Sequence, residues 1–313
     1  MINDKNLDSI KLLKQTTIAL TNTLIEQQIT IPYKLDLILD GGAFNGIYEY
    51  GILLYIKELE YKNKLKVNKI SGCSIGALMG LIYLIDILYE DENVKLFELI
   101  LKSFRNNLML NEIPNIINHI VNTYVTDIKT INSKLYITYY DIMTIKQVVV
   151  KKYRNKEHLI EILTRSMFVP YLIDGSLQYK QKYCDGCSPY LFKKSKRKKL
   201  FISSITCFKI KNVICIKDIN NIHSRAMAGI IDINHFFING KSEMCSYTNN
   251  WTIFDHMILR FRDLMYVHIL QIFKLYTFIK ENIPNDIKAN KCIKDIVAIV
   301  LIIYQEITRR FLI

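Results

Sequence analysis

Lys66-Val67-Asn68-Lys69-Ile70-Ser71-Gly72-Cys73-Ser74-Ile75-Gly76, running on into the apolar stretch from Ala77, decides how this chain folds. Lys66 to Ile70 reads as a short strand, residues 71–76 as a glycine-bearing turn, and Ala77 to about Glu90 as a strongly apolar helix. Inside it, Gly72-Cys73-Ser74-Ile75-Gly76 fits G-x-S-x-G, which sets a serine on a sharp strand-to-helix turn. The glycines let backbones approach where a Cβ would collide. The helix that follows offers unsatisfied N–H groups and a positive dipole end to a developing anion.

The same grammar stands one unit upstream. Leu35-Asp36-Leu37-Ile38-Leu39-Asp40 is β-compatible and stops at Gly41-Gly42, and Leu53, Leu54, Ile56 and Leu59 give residues 46–60 a helical pattern. Strand, helix and strand make a βαβ unit, and a right-handed crossover places both strands parallel in one sheet. Their turns then meet at the carboxyl edge of that sheet, where α/β proteins bind ligands. Asp40-Gly41-Gly42-Ala43-Phe44-Asn45-Gly46 can aim backbone N–H groups at an anion. It is not a dinucleotide cradle, because Ala43 stands where G-x-G-x-x-G needs its second glycine, and the chain has no G-x-x-x-x-G-K-[ST] run.

Working outward, residues 5–29 read as an amphipathic helix ended near Pro32, so residues 1–34 form a leading helical segment. Helices are expected over 94–108 and 113–125, then strands over 134–142 and 147–153 paired as a hairpin across Met143-Thr144-Ile145-Lys146. A helix over 157–167 stops before Pro170. A strand over 178–184 delivers Asp185-Gly186 to a turn. Residues 201–210 and 213–216 are β-compatible, and the chain beyond Asn221 reads as helix. Residues 35–200 are thus expected as a core, and 201–313 as a strand-then-helix region completing or flanking it.

Composition bounds the rest. With 313 residues, 50% of them hydrophobic and 23% charged, the chain carries too much apolar material for wholesale disorder. Subtracting 29 acidic from 42 basic residues leaves +13, which favours anionic partners, either a lipid surface or nucleic acid. Seven cysteines, an odd number in a chain too large to need stapling, point to free thiols in a reducing compartment. The polar, acid-containing N-terminus does not read as a secretory signal, and the apolar runs 77–88 and 296–304 fall short of the roughly 20 residues a spanning helix needs. A cytoplasmic protein is expected, soluble or bound peripherally to membranes.

An aspartate at a strand end can take the proton of a turn serine, provided it is desolvated yet still ionised. Asp185 is the candidate and Asp174, before Gly175, a competitor. Cys184-Asp185-Gly186-Cys187 is also a C-x-x-C, open to zinc or redox chemistry, but no second pair or spaced histidines accompany it; no metal or organic cofactor is expected. A serine–histidine–aspartate triad would need His223, His235, His256 or His268.

Together, the Asp-Gly-Gly turn, the G-x-S-x-G turn one βαβ unit later and an Asp-Gly more than a hundred residues on resemble the patatin-like phospholipases. The resemblance covers roughly residues 35–200 and includes Ser166-Met167-Phe168-Val169-Pro170, which is similar to the serine/proline segment ahead of that family's aspartate. It implies a three-layer α/β fold with a mainly parallel sheet, here with a mostly helical C-terminal region. It also implies hydrolysis of acyl esters of phospholipids or acylglycerols by a Ser–Asp dyad. Carried across, Ser74 is the nucleophile on its Gly72, Cys73 and Gly76 elbow, Asp185 the base, and the backbone of Gly41, Gly42 and Ala43 the oxyanion hole, with the N–H of Ile75. Two positions depart from the pattern: Ala43 replaces a third glycine, at a cost of about 1 kcal/mol where φ is positive, and Asn45 replaces a basic residue. The base turn reads Asp-Gly-Cys.

The basic run Lys193, Lys194, Lys196, Arg197, Lys198 and Lys199 follows Asp185 closely and reads as an attachment to anionic headgroups, worth about 1 kcal/mol per residue. Aromatic residues are not interleaved with it, so nucleic acid is the second reading. The expected partner is lipid at a membrane or droplet surface. The non-enzymatic alternative is a silent scaffold that binds anionic membranes through this run.

Overall fold

In a computed structural model, residues 2–192, 196–205, 213, 216, 222–282 and 306 are described. The chain opens with α1 (Ile2–Glu26), then β1 (Lys34–Leu39), α2 (Gly46–Tyr61), β2 (Lys66–Cys73) and α3 (Ile75–Leu84), the anticipated βαβ grammar. α4 (Asp91–Asn107) and α5 (Ile113–Tyr124) lead to β3 (Leu135–Asp141), β4 (Lys146–Val150) and α6 (Lys156–Ser166). β5 (Tyr183–Cys184), β6 (Lys198–Ile202), α7 (Ile222–Asn239), β7 (Cys245–Tyr247) and α8 (Ile253–Asn282) complete the described elements.

Seven strands form one mixed sheet in the order β4-β3-β2-β1-β6-β7, with β5 added against β3. β1 runs parallel to β2 and β6, and β2 parallel to β3, while β4, β5 and β7 pair antiparallel. Alternation along the central strands sorts their side chains onto two covered faces. Leu37 and Leu39, Leu135 and Ile137, Leu200 and Ile202 point into the large cluster formed with the first seven helices. Ile38, Tyr136 and Phe201 point the other way, beneath Phe192 and Leu259 of α8. Helices therefore lie on both sides of a mostly parallel sheet, with a helical C-terminal region. β6 runs across residue 200, so the chain after that point completes the sheet.

Several local expectations change. The helix after the serine turn ends at Leu84, short of Glu90: Asp86 takes φ 61, where it accepts from the Tyr61 hydroxyl (2.6 Å) and faces Lys57 (3.1 Å), and this frees Ile87 and Leu88 to bury. The strand expected over 178–184 shrinks to two residues, because Lys180 and Gln181 adopt left-handed φ of 49 and 57 and turn the chain sharply. β6 starts inside the basic run, at Lys198, and ends at Ile202. The expected strands 201–210 and 213–216 lie mostly outside the described residues, as do Lys193, Lys194 and Ser195.

Candidate active site

β2 ends at Cys73 and α3 begins at Ile75, so Ser74 alone makes the corner. It sits at φ 50, ψ −130, a region that L-residues avoid and that costs on the order of 1–3 kcal/mol. A Cβ on Gly72 would run into the backbone of Gly76, and one on Gly76 into the carbonyl oxygens of Leu39 and Asp40, which explains both glycines of the pattern. The corner is pinned from outside. Ser166 Oγ accepts the Ser74 N–H (3.0 Å) and donates to the Thr138 carbonyl on β3 (2.7 Å).

Strand register brings Asp185 towards the serine corner. β2 pairs with β3 only as far as Cys73 opposite Thr138, and β5 pairs with β3 farther along, Cys184 opposite Tyr140 and Tyr183 opposite Asp141. β5 runs antiparallel, so the chain leaving Cys184 heads back towards the end of β2 and carries Asp185 to Ser74. Residues 166–168 hold this turn as well: the Asp185 N–H donates to the Phe168 carbonyl (3.0 Å) and the Gly186 N–H to the Ser166 carbonyl (3.2 Å). One short segment thus positions both the Ser74 corner and the Asp185 turn. Asp185 Oδ2 accepts the Cys187 N–H (3.2 Å).

Burial pushes the Asp185 carboxyl up to about 6; the Ser74 hydroxyl and the N–H groups of Cys187 and Gly186 pull it back, and the charge of Asp40 adds to the rise. A carboxylate near 6 is ionised at neutral pH yet basic enough to take a proton. Asp174 is exposed and holds its own turn through Ser176 (2.8 and 2.6 Å), far from that role. Neither Ser74 nor Asp185 hydrogen-bonds a histidine among the described residues. His235 faces the Lys241 carbonyl (3.1 Å), His256 packs on Trp251, and His268 meets Gln271 (3.2 Å).

The glycine turn after β1 is built differently. The Gly41 N–H donates to Asp40 Oδ1 (3.0 Å), which removes Gly41 from the expected oxyanion donors. The N–H groups of Gly42, Ala43 and Ile75 have no hydrogen-bond partner among the described residues. Ala43 stands at φ 43, the left-handed position that the third glycine of the family pattern would occupy without strain. Asn45 is fully buried and donates to the Ser204 carbonyl (2.6 Å). It locks the turn and adds no charge.

A positive charge nonetheless reaches this turn, from a residue the sequence did not single out. Arg262 on α8 forms a two-pronged pair with Asp40, Nη1 to Oδ2 at 2.7 Å and Nη2 to Oδ1 at 2.8 Å. Burial raises the Asp40 carboxyl, and the guanidinium opposes that rise. Both carboxylate oxygens are bonded to the guanidinium and one also takes the Gly41 N–H, the geometry of an ionised pair. Four residues on, the Tyr266 hydroxyl donates to the Asp185 carbonyl (3.1 Å) and lies 3.2 Å from Cys184 Sγ. α8 therefore grips both turns of the site. No local motif marks Arg262, which is 222 positions from its partner.

Beside Ser74 lies an apolar slot walled by Phe44, Phe97, Ile100, Ile113, Met167 and Val169. Its free volume is about 20 Å³, so the slot is closed unless side chains of α4 and α5 part. Cys184 and Cys187 are free thiols, and burial raises Cys184 to about 12, well away from a reactive thiolate. Among the described residues no cluster of His, Cys, Asp and Glu could hold a metal ion.

The described part of the basic run, residues 196–199, does not flank the site. Arg197 pairs with Asp36 (3.0 Å), and Lys198 and Lys199 sit opposite Leu35 and Asp36 on β1. Asp40 lies four residues farther along that strand, about 13 Å at the usual rise. Arg197, Lys198 and Lys199 thus stand towards the amino end of β1, and Lys196 precedes them as an exposed residue. Sequence adjacency to Asp185 misplaces them, because the chain crosses the sheet between residues 187 and 198.

No curated protein matches the chain at a significant level. Ser74, Asp185 and the Asp40–Gly46 turn all fall inside residues 37–187, and this stretch matches the family model of patatin-like phospholipases.

Proposed function

We propose that this protein is a serine acyl hydrolase of lipid esters that works through Ser74 and Asp185 without a metal. The observation that carries the reading is the strained Ser74 corner pinned by Ser166, with the Asp185 turn held beside it by the same segment through the Phe168 and Ser166 carbonyls. The family match of residues 37–187 implies lipid acyl hydrolysis.

In this mechanism Asp185 takes the Ser74 proton as Oγ attacks the ester carbonyl. The negative charge that develops on the carbonyl oxygen is received by the N–H groups of Gly42, Ala43 and Ile75 at the start of α3. Asp185 returns the proton to the departing alcohol, leaving an acyl ester on Ser74. A water activated by the same carboxylate then releases the fatty acid. The apolar slot beside Ser74, once its walls part, is the place for the acyl chain, and the family match supports lipid esters as the substrate class. Docking at a membrane or droplet surface, as a peripheral protein, follows from that class.

The test is fatty-acid release from phospholipid vesicles and triacylglycerol emulsions without calcium, with wild type beside Ser74→Ala. Release confined to wild type supports the reading. Equal release from both, or none from either, refutes it.

A further inference from the structure

The described residues expose 21 large apolar side chains, and 12 of them lie on α8. Ile253, Phe254, Ile258, Phe261, Ile272 and Phe278 are each 61–72% exposed. At 100° per residue the twelve fall within one half of the helix circumference. Leu259, Arg262, Tyr266 and Leu270 occupy the other half and hold α8 to the sheet and the site. A contiguous apolar face of this extent marks an interaction surface.

We propose that the outward face of α8 is the surface by which this protein seats itself on an anionic lipid aggregate, with the helix lying along the interface. The inference rests on the hydrolase reading, because the lipid so engaged is the substrate of the Ser74 site.

Charge chooses the occupant. Among the described exposed residues of α8 the charged ones are Arg260, which faces the partly buried Asp263 on the same helix (3.6 Å), and Lys274, with no exposed Asp or Glu. A second copy of this chain would bring the same cations to the contact, whereas an anionic headgroup layer complements them. No described helix, α8 included, is long and apolar enough to cross a membrane, and an apolar face with a basic margin suits the headgroup boundary.

Position agrees. The helix runs from Leu259, under the central strands, across the carboxyl edge to Leu270, beside Cys184. Phe273 then stacks edge-on against Tyr171 (5.6 Å), two residues beyond Val169 in the wall of the apolar slot. α8 therefore reaches the segment that walls the slot beside Ser74.

The test compares the full-length wild type with Ile258→Glu/Phe261→Glu/Ile272→Glu, and with the milder serine version of the same triple. Cosedimentation with phosphatidylcholine vesicles, with and without phosphatidylglycerol, reads docking. Turnover of a soluble short-chain ester, the thermal midpoint and sedimentation velocity are read in parallel. The expected result is tighter binding to the anionic vesicles and a loss of partition on the order of tenfold or more in the glutamate triple. The serine triple falls between, and soluble-ester turnover and midpoint stay unchanged. Undiminished partition in both triples overturns the proposal. So does a wild-type dimer that the triples split while vesicle binding stays the same, because the face then belongs to a second copy. Absence of soluble-ester turnover in every protein strikes the hydrolase reading alone, and the vesicle comparison still decides the docking surface.

Discussion

The elbow at Gly72–Gly76 and the turn at Asp40–Gly46 lie side by side at one sheet edge, yet they are held by opposite means. The elbow depends on close neighbours: glycines without Cβ atoms, a helix that starts one residue after the strand, and Ser166 hydrogen-bonded to the serine amide. The Asp40 turn depends on distance, since its carboxylate is neutralised by Arg262 from a helix at the far end of the described chain. Local sequence can specify the first, because steric tolerance is a property of the residue itself. It cannot specify the second, because a buried charge accepts any cation that the fold brings within reach.

Breaking the elbow should have the largest effect. Ser74→Ala and Asp185→Asn are each expected to lower ester turnover by on the order of a thousandfold or more, read as kcat. Wild-type kcat/KM should rise with pH through about 6 as Asp185 ionises. The stability of this group runs the other way. Its folded-state carboxyl, near 6, lies above the unfolded value of about 3.8, so the folded state holds the extra proton between those pH values. Stability therefore falls as pH rises from about 4 to about 6 and levels off above. Asp185→Asn should flatten that slope in chemical denaturation while activity is lost.

Removing the distant cation comes next. Arg262→Ala leaves Asp40 buried without its partner and is expected to cost about 3–5 kcal/mol in unfolding free energy. Arg262→Ala/Asp40→Asn should recover much of that loss, because no uncompensated charge remains. If the single and double variants were equally destabilised, the pair would be mere packing, and the contrast with the elbow would fall.

A smaller effect is expected from Ser166→Ala, which strips the Ser74 N–H of its acceptor. A buried donor left unpaired costs about 1–3 kcal/mol of stability, and a corner no longer held in place misaims the Ser74 hydroxyl, so kcat should drop roughly tenfold or more with KM little changed. Ser166→Thr, which restores a hydroxyl, should recover part of the rate. A drop in stability with kcat intact would make Ser166 structural only. The smallest change is Ala43→Gly, expected to add about 1 kcal/mol of stability by relieving φ 43. A loss of stability there would mean that the unfolded-state entropy of glycine outweighs the strain.

The residues of the site divide along the same line. The two glycine turns, the serine and the Asp185 turn are legible because each carries a backbone demand that few residues meet. Gly41 is misread as an oxyanion donor, because whether its N–H is free depends on the rotamer of Asp40. Ser166 is visible as part of Ser166–Pro170, but its grip on both the Ser74 and the Asp185 turns is not, because it depends on where α6 ends relative to β2 and β5. The basic run is legible as charge and misplaced as geometry, since Lys198 and Lys199 belong to a strand that starts at the other end of the sheet.

By itself the sequence determined the parallel βαβ unit and the serine corner, because periodicity and glycine placement are local and each has one steric solution. Only the tertiary structure decided the register that sets β5 beyond the end of β2, the Arg262 charge on Asp40 and the outward face of α8. Those depend on contacts between residues tens to hundreds of positions apart, whose free energies appear only when the chain has closed around them.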